Sequence, residues 1–257
     1  MLVKIYNENR LTRQPFFKDL INYLAQNDGV MLRQIHRDFA DVKNIDRQID
    51  AFIAAGLVER SDKRYSLGLE CFGDGDFADV LQKNPSVNSL SKNSFTAPFF
   101  VEAGSNLAQK LDESWAFQSL KNAINQVTLN FSSRYDLSTD TLFNYFHKVA
   151  ENLPLTALEQ EVYELIGDVD PEYALKYMTT FLLKFMRKEV VKTKSDIFIQ
   201  VLEKYAYIEK ISEREYRCLL DFSEQVIPEK KFTDAKLFIA AQIQQTQPLT
   251  AFISLGE

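Results

Sequence analysis

The side chains in this sequence that are best suited to bind a ligand are cations and amides between residues 33 and 64. The members of this set are Arg33, Arg37, Lys43, Asn44, Arg47, Gln48, Lys63 and Arg64. Arginine and lysine neutralise phosphates, arginine pairs with a guanine edge through two hydrogen bonds, and asparagine or glutamine does the same with adenine. The set therefore predicts contact with double-stranded DNA, in which Arg47 reads guanine and Asn44 or Gln48 reads adenine.

Acidic residues inside the same segment favour a different partner. Asp46 and Asp50 lie close to Arg47 and would bring negative charge toward the phosphates. Residues 1–68 hold 11 Lys/Arg and 9 Asp/Glu, a net charge of +2, and the other 189 residues hold 19 and 27, a net charge of −8. A dedicated nucleic-acid binder usually carries a more basic patch. Docking on another protein therefore stays open beside DNA binding.

The sequence contains no signature of catalysis or of metal binding. It has no GxSxG, GxxxxGK[ST] or GxGxxG motif, and His36 and His147 stand outside any HExxH or Cys/His spacing. Cys71 and Cys218 have no second cysteine or histidine close to them. The segment Gly73–Asp76 reads GDGD but lacks the ligand positions of an EF-hand. We therefore expect a protein that is not an enzyme and has no cofactor and no metal.

The elements that would position the cations and amides are a helix and a hairpin over residues 44–67. Apolar residues at helical spacing predict one buried face, comprising Ile45, Ile49, Phe52 and Ile53. Gly56 ends this helix at a position where a left-handed residue is needed. Two short strands, 57–60 and 64–67, follow around the polar turn of Ser61, Asp62 and Lys63.

Two further helices are predicted upstream, and together the elements suggest a known arrangement. Pro15 begins the first helix, which ends near Gly29, and a brief extended segment leads into a second helix that carries Arg33 and Arg37. The order is helix, strand, helix, helix and two-stranded wing. The sequence resembles the winged helix-turn-helix superfamily of bacterial regulators over residues 14–68, most clearly in the segment AGLVERSDKRYSL. The resemblance implies a third helix that enters the major groove, although the same fold also serves as a protein-docking module.

The rest of the chain predicts a mainly α protein. Residues 69–114 mix glycine, proline, serine and asparagine with aromatics, which indicates an irregular junction between a winged-helix domain over 1–68 and a second domain over 115–257. The second domain is predicted to be an all-helical bundle. Its predicted helices cover about 115–127, 138–153, 156–166, 170–188, 194–209, 212–226 and 233–245.

Two stretches of the second domain allow more than one interpretation. Tyr173, Tyr177, Phe181 and Phe185 could line a ligand cavity between helices, and packing in the core, which we favour, explains the same spacing. The basic run KFMRKEVVKTK could hold a phosphate or an acidic partner, although a solvated helix end is the more usual role of such a run. The segment 170–211 also resembles uncharacterised proteins of low-GC Gram-positive bacteria, which implies a bacterial protein.

These patterns lead to two functional hypotheses. The first is a DNA-binding transcriptional regulator whose helical domain dimerises or senses a ligand. The second is a non-enzymatic protein-protein interaction protein that uses the winged helix as a docking module. The N-terminus has no cleavable apolar leader, and no stretch approaches 18 consecutive apolar residues, so we expect a cytoplasmic protein without membrane partners. The expected partners are double-stranded DNA, another protein, or a second copy of the chain through its helical domain.

Overall fold

The computed structural model describes residues 1–27, 29–82 and 90–255, and the chain divides into two compact units. The N-terminal unit comprises Met1–Ser86, Ser94–Asp112 and Lys231–Gln244. The C-terminal unit comprises Val87–Asn93, Glu113–Lys230 and Gln245–Glu257. Within the described residues, no helix combines the length and the apolar character needed to cross a bilayer.

Helices and strands are interspersed along the described residues. The α-helices are α1 (Pro15–Gln26), α2 (Leu32–Asp38), α3 (Ile45–Ala54), α4 (Ala78–Leu81), α5 (Asn106–Glu113), α6 (Leu142–Ala150), α7 (Ala157–Ile166), α8 (Pro171–Leu182), α9 (Ile197–Lys204) and α10 (Ala235–Gln242). The strands are β1 (Val3–Tyr6), β2 (Val30–Met31), β3 (Val58–Ser61), β4 (Arg64–Leu67), β5 (Cys71–Phe72), β6 (Lys92–Ser94), β7 (Phe99–Glu102), β8 (Trp115–Lys121), β9 (Val127–Arg134), β10 (Val190–Lys192), β11 (Ile208–Ser212), β12 (Glu215–Cys218), β13 (Asp221–Phe222), β14 (Glu229–Lys231) and β15 (Phe252–Leu255). Short 3-10 helices cover Asp74–Phe77 and Leu183–Met186.

The prediction of a mainly α protein with a helical-bundle second domain is wrong. The fold is mixed α/β, with 39% of residues in helices and 24% in strands. The predicted helix over 115–127 is strand β8, a turn and the first residue of β9, because β8 pairs antiparallel with β9 along its length. Alternate residues of β9 face the core, and Val127, Leu129 and Phe131 are almost fully buried. The polar residues between them face the other side of the sheet.

The predicted helix over 212–226 is wrong for a different reason. Ser212 and Glu215 have the spacing of a capping box, which is the pattern that predicted a helix start. In the structure these two residues face each other across the turn between β11 and β12, and the Ser212 hydroxyl donates to the Glu215 carboxylate at 3.0 Å. The same spacing therefore serves a hairpin with a two-residue loop.

The N-terminal unit contains the predicted order of helices and hairpin. Strands pair in the order β2-β4-β3 beside α1, α2 and α3, and the core includes fully buried Phe17, Leu20, Ile35 and Phe52. The hairpin turn has two residues and not the predicted three, since Ser61 pairs with Arg64. Asp62 and Lys63 have φ values of 50° and 62°, as the tight turns of hairpins require.

The region 69–114 contains regular elements. Strands pair in the order β1-β7-β5, and α5 follows β7. The Asp74 carboxylate, which belongs to the GDGD segment, accepts hydrogen bonds from the backbone N–H groups of Asn106 and Leu107 at 3.2 and 2.7 Å. This acidic turn therefore caps the start of α5.

The C-terminal unit is built around a four-stranded sheet with the order β13-β15-β9-β8. One face of the sheet contributes to a hydrophobic core that also includes residues of α6, α7, α8 and α9. This core contains fully buried Leu142, Val162, Met178 and Leu202. A buried ion pair joins the helices α6 and α7, since the Lys148 ammonium lies 2.8 Å from the Glu159 carboxylate.

A second helix and hairpin in the C-terminal unit repeat the construction of α3, β3 and β4. Strands β10, β12 and β11 pair in the order found for β2, β4 and β3, and α9 takes the place of α3. Both helices end on a left-handed residue, Gly56 at φ 70° and Ala206 at φ 54°. The N–H of the following residue donates a hydrogen bond back into the helix at 2.9 Å in both copies. Leu57 donates to the Phe52 carbonyl, and Tyr207 donates to the Leu202 carbonyl.

Candidate nucleic-acid interface

Helix α3 presents one face to the core and the opposite face to solvent. Ile49 and Phe52 are buried, so the intervening turns expose Asp46, Arg47 and Asp50. Arg47 is thus on the side of the helix where a ligand could reach it. The two acidic residues share that exposed side.

The turn before α3 holds the predicted amides. Asn44 adopts the left-handed conformation at φ 54°, which asparagine tolerates better than most residues. The Gln48 amide donates to the Lys43 carbonyl at 2.8 Å, and the side chain is half-buried. One donor of Gln48 is therefore already used, whereas the exposed Asn44 and Lys43 side chains bond to no residue that the structure describes.

Arg37 on α2 has an acidic partner in its own helix. Its guanidinium donates to the two Asp38 oxygens at 2.6 and 3.1 Å, and the Tyr23 hydroxyl donates to the same carboxylate at 2.6 Å. The Arg37 hydrogen bond, followed by the Tyr23 hydrogen bond, lowers the pKa of Asp38 to about 2. The positive charge of Arg37 is therefore largely compensated before any partner arrives.

Two more contacts of this region bring together residues that are far apart in the sequence. The Asp46 carboxylate lies 2.7 Å from His36 Nε2, so the first acidic residue of α3 is hydrogen-bonded to α2. The Arg64 guanidinium donates to the Gly29 carbonyl at 2.8 Å. Arg64 therefore fixes the hairpin to the loop after α1.

Four of the eight predicted residues are exposed cations without an acidic partner in the part of the chain that the structure describes. Arg33, Lys43, Arg47 and Lys63 form no ion pair with any residue in the described ranges. Four exposed carboxylates of the same segment likewise form none there, namely Asp41, Asp50, Glu59 and Asp62. The surface therefore offers donors to an anion, and it also offers acceptors.

The aromatic stripe and the basic run of the C-terminal unit combine packed and exposed side chains. Phe181 and Phe185 are buried in the core, whereas Tyr173 and Tyr177 are about half exposed, and Tyr177 stacks on Phe198. In the basic run, Lys192 lies on β10 and its ammonium is 2.8 Å from the Glu215 carboxylate. The run therefore continues from a helix end into a strand.

Comparisons with known proteins name a family for the N-terminal part only. A family model described as a domain of unknown function, DUF1803, matches residues 3–114, which is fewer than half of the 257 residues. No winged-helix family model matches. No curated protein and no solved structure matches the chain. The likeness to a winged helix therefore depends on the order and geometry of the elements.

Sequence reasoning identified the exposed charged residues of this region but missed the groups that bond to them. His36 lies ten positions before Asp46, and Gly29 lies 35 positions before Arg64. No periodic pattern links such pairs. The contact between Tyr23 and Asp38 spans 15 positions and also required the folded arrangement of α1 and α2.

Proposed function

We propose that the protein is a DNA-binding transcriptional regulator that contacts double-stranded DNA through the exposed side of α3. The supporting observation is the pattern of ion pairs. Arg47 and the nearby cations Arg33, Lys43 and Lys63 have no acidic partner in the described part of the chain, whereas Asp46 is hydrogen-bonded to His36. Cations that are exposed and not compensated are available to phosphates and bases. A cytoplasmic location and a bacterial source belong to this proposal.

The proposed geometry gives different tasks to the helix and the hairpin. Arg47 lies on the outward face of α3, so it would donate two hydrogen bonds to guanine in the major groove. Lys63 lies in a two-residue turn, which leaves little length for entering a second groove, so it would contact a phosphate. Binding to a palindromic site would further require a dimer.

The experiment is a selection of DNA sequences by the purified full chain, repeated at about 50 and about 200 mM salt. Arg47→Ala should weaken binding to the selected sequence by ~1–3 kcal/mol and relax the preference for one base. Lys63→Ala should weaken all sequences equally and reduce the salt slope by about one. Lys236→Ala removes an exposed charge from α10 and serves as the matched control. An absence of salt-dependent DNA binding by the wild type would rule out the proposal.

A second candidate function is docking on another protein, and the four exposed carboxylates favour it. Asp50 lies one helical turn after Asp46 on the exposed side of α3, where it would repel phosphates and could pair with a lysine or arginine of a partner. Asp50→Asn distinguishes the two candidates. The substitution should strengthen binding to DNA, whereas it should weaken a complex with a protein that donates to this carboxylate.

A further inference from the structure

The C-terminal unit contains a cleft of about 860 Å³ on one face of its four-stranded sheet. Val127 and Leu129 of β9 point into the hydrophobic core, so Thr128 and Asn130 of the same strand point to the opposite face and line the cleft. Ser254 of β15 also lines it. The cleft thus uses the sheet face that does not contribute to the core.

The floor of this cleft includes hydroxyl and amide groups on neighbouring strands, beside Phe117 of β8. Ser119 pairs with Asn130 across β8 and β9, and Thr128 pairs with Ser254 across β9 and β15. The Asn130 amide donates to the Ser254 hydroxyl at 3.0 Å. The Lys92 ammonium donates to the Ser119 hydroxyl at 3.2 Å. These side chains therefore form one connected polar surface.

The same groups have hydrogen-bond donors that are available to a ligand. A hydroxyl whose oxygen accepts a bond still has its proton to donate, which applies to Ser119 and Ser254. The Thr128 hydroxyl bonds to no residue in the parts of the chain that the structure describes. Lys92 likewise has no carboxylate partner among the described residues. The floor consequently offers several donors around one positive charge, which suits an anionic group with two or more acceptor oxygens.

The rim of the cleft is apolar and exposed. Met186, Phe222, Val226 and Leu255 line it, and their exposed fractions are 50%, 36%, 86% and 47%. Large apolar side chains gathered around one opening expose surface that a ligand with an apolar body would cover favourably. A polar floor below an apolar rim therefore requires a ligand with both characters.

The charge around the opening limits the ligand to one negative charge. Glu224 also lines the cleft and is exposed, so it would repel a second anionic group. A nucleoside triphosphate, with several charges and little apolar surface beyond its base, fits this arrangement poorly. A monocarboxylate with an aliphatic body satisfies the donors, the single cation and the rim together.

We propose that this cleft binds a small amphipathic monocarboxylate, with the carboxylate on Lys92 and the floor hydroxyls and the aliphatic body against the rim. The inference is independent of DNA binding, because it uses only residues of the C-terminal unit. It provides a specific site for the ligand sensing that the sequence suggested. The aromatic stripe of α8 does not form this site.

The test is isothermal titration calorimetry of the full chain with decanoate, and with decanol and ATP as the neutral and the polyanionic comparisons. Decanoate should bind saturably at one site per chain and at least tenfold more tightly than either comparison. Lys92→Met should weaken decanoate at least tenfold and leave decanol unchanged. Lys210→Met, at an exposed lysine of β11, is the matched control and should change neither ligand.

A second pair of variants tests the rim and the floor separately. Val226→Ser alters a side chain that is 86% exposed, so folding should be unaffected, and decanoate should bind severalfold more weakly. Thr128→Val removes one hydroxyl at nearly constant volume and should also weaken decanoate severalfold. Circular dichroism and thermal melting confirm that each variant is folded. Equal decanoate affinity in wild type and Lys92→Met, equal affinity for decanol, tighter binding of ATP, or no saturable binding would overturn the proposal.

Discussion

The hairpin that follows α3 and the hairpin that follows α9 share a backbone design and differ in what their helices expose. Counting back from the left-handed residue that ends each helix, Arg47 corresponds to Ile197 and Asp50 corresponds to Gln200. The outward side of α3 is thus charged where the outward side of α9 is neutral. Glu203 and Lys204 at the end of α9 are exceptions, and the Lys204 ammonium lies 2.5 Å from Glu161 of α7.

This difference shows that the backbone arrangement alone does not indicate function. In the second hairpin Tyr216 is fully buried between β10 and β11, as Tyr65 is between β2 and β3, so both copies meet the same packing requirement. Of the two helices, only α3 carries an exposed cation, Arg47, that forms no ion pair with a described residue, whereas the turn of the second hairpin carries the exposed Arg214 at the position of Lys63. A proposal of nucleic-acid binding therefore applies to α3 and does not extend to α9.

The largest expected effect comes from equivalent core positions in the two copies. Phe52 and Leu202 are both fully buried, and each precedes its left-handed residue by four positions. Phe52→Ala should cost about 3–5 kcal/mol and Leu202→Ala about 2–5 kcal/mol in the free energy of unfolding, because each leaves a cavity. Urea unfolding followed by circular dichroism measures both.

The fluorescence of Trp115, the single tryptophan, adds a probe located in the C-terminal unit. Leu202→Ala should shift the Trp115 transition to lower urea concentration. A loss below about 1 kcal/mol for either variant would contradict the equivalence of the two positions.

The next effect concerns the residue that ends each helix. Gly56→Ala should lose about 1 kcal/mol, because a side chain at φ 70° is strained, and Ala206→Gly should gain a similar amount by removing that strain at φ 54°. Ala51→Gly, in the interior of α3, should lose about 1 kcal/mol and controls for the flexibility that glycine adds. Thermal melting of the three variants measures these changes. Stability changes of the same sign for Gly56→Ala and Ala206→Gly would contradict the equivalence of the two positions.

In each unit one carboxylate with a lowered pKa, Asp38 of α2 and Glu215 of β12, contributes to the pH dependence of stability. The Arg37 hydrogen bond lowers the pKa of Asp38 to about 2, and the Lys192 hydrogen bond lowers the pKa of Glu215 below its ordinary value. A lowered pKa stabilises the folded state above the pKa of the unfolded chain, and this contribution is lost as pH falls. The stability difference between wild type and Asp38→Asn should therefore vanish from about pH 4 down to pH 2.

Carboxyl NMR titrations measure the two midpoints directly. Asp41→Asn removes an exposed carboxylate without such partners and is the control for Asp38→Asn. A midpoint for Asp38 at the value of a free aspartate would show that the Arg37 and Tyr23 hydrogen bonds do not persist in solution.

The last prediction concerns the two cysteines, where we expect the smallest effect on stability. The expected effect on thiol reactivity is large. Burial, followed by the nearby carboxylates of Glu102 and Asp76, raises the pKa of Cys71 to about 11, and burial also raises the pKa of Cys218. At pH 8 Cys71 should therefore react with a disulfide reagent on the order of 10²-fold more slowly than a free thiol. Cys71→Ser and Cys218→Ser isolate each thiol, and fast reaction of both in the folded protein would refute the expectation.

Local patterns predicted the elements that local spacing determines. The i, i+4, i+7 series from Ile45 and the glycine at position 56 suffice to place α3 and its end. A threonine or serine followed three residues later by glutamate gave two outcomes. Thr156 and Glu159 form a true capping box at the start of α7, whereas Ser212 and Glu215 form a hairpin turn. The short pattern does not contain the information that distinguishes them.

The remaining structure depends on contacts between distant residues. Strand β9 pairs with β15, in which Phe252 lies opposite Asn130, and no feature of residues 115–127 shows that such a partner exists. The cleft therefore could not be predicted, since it requires β8, β9 and β15 together. The exposed cations were predictable from residue type and helical spacing, whereas the pairing of Arg37 with Asp38 and of Asp46 with His36 was not.

The position of β15 in its sheet has a consequence for synthesis on the ribosome. This strand lies between β13 and β9 and is formed by residues 252–255, so the four-stranded order requires a segment that is translated more than 100 residues after β9. Until those residues emerge, one edge of β9 has no partner, and pairing across such a separation is slow. Nascent chains that end before residue 252 should therefore depend on chaperones more than chains that include β15.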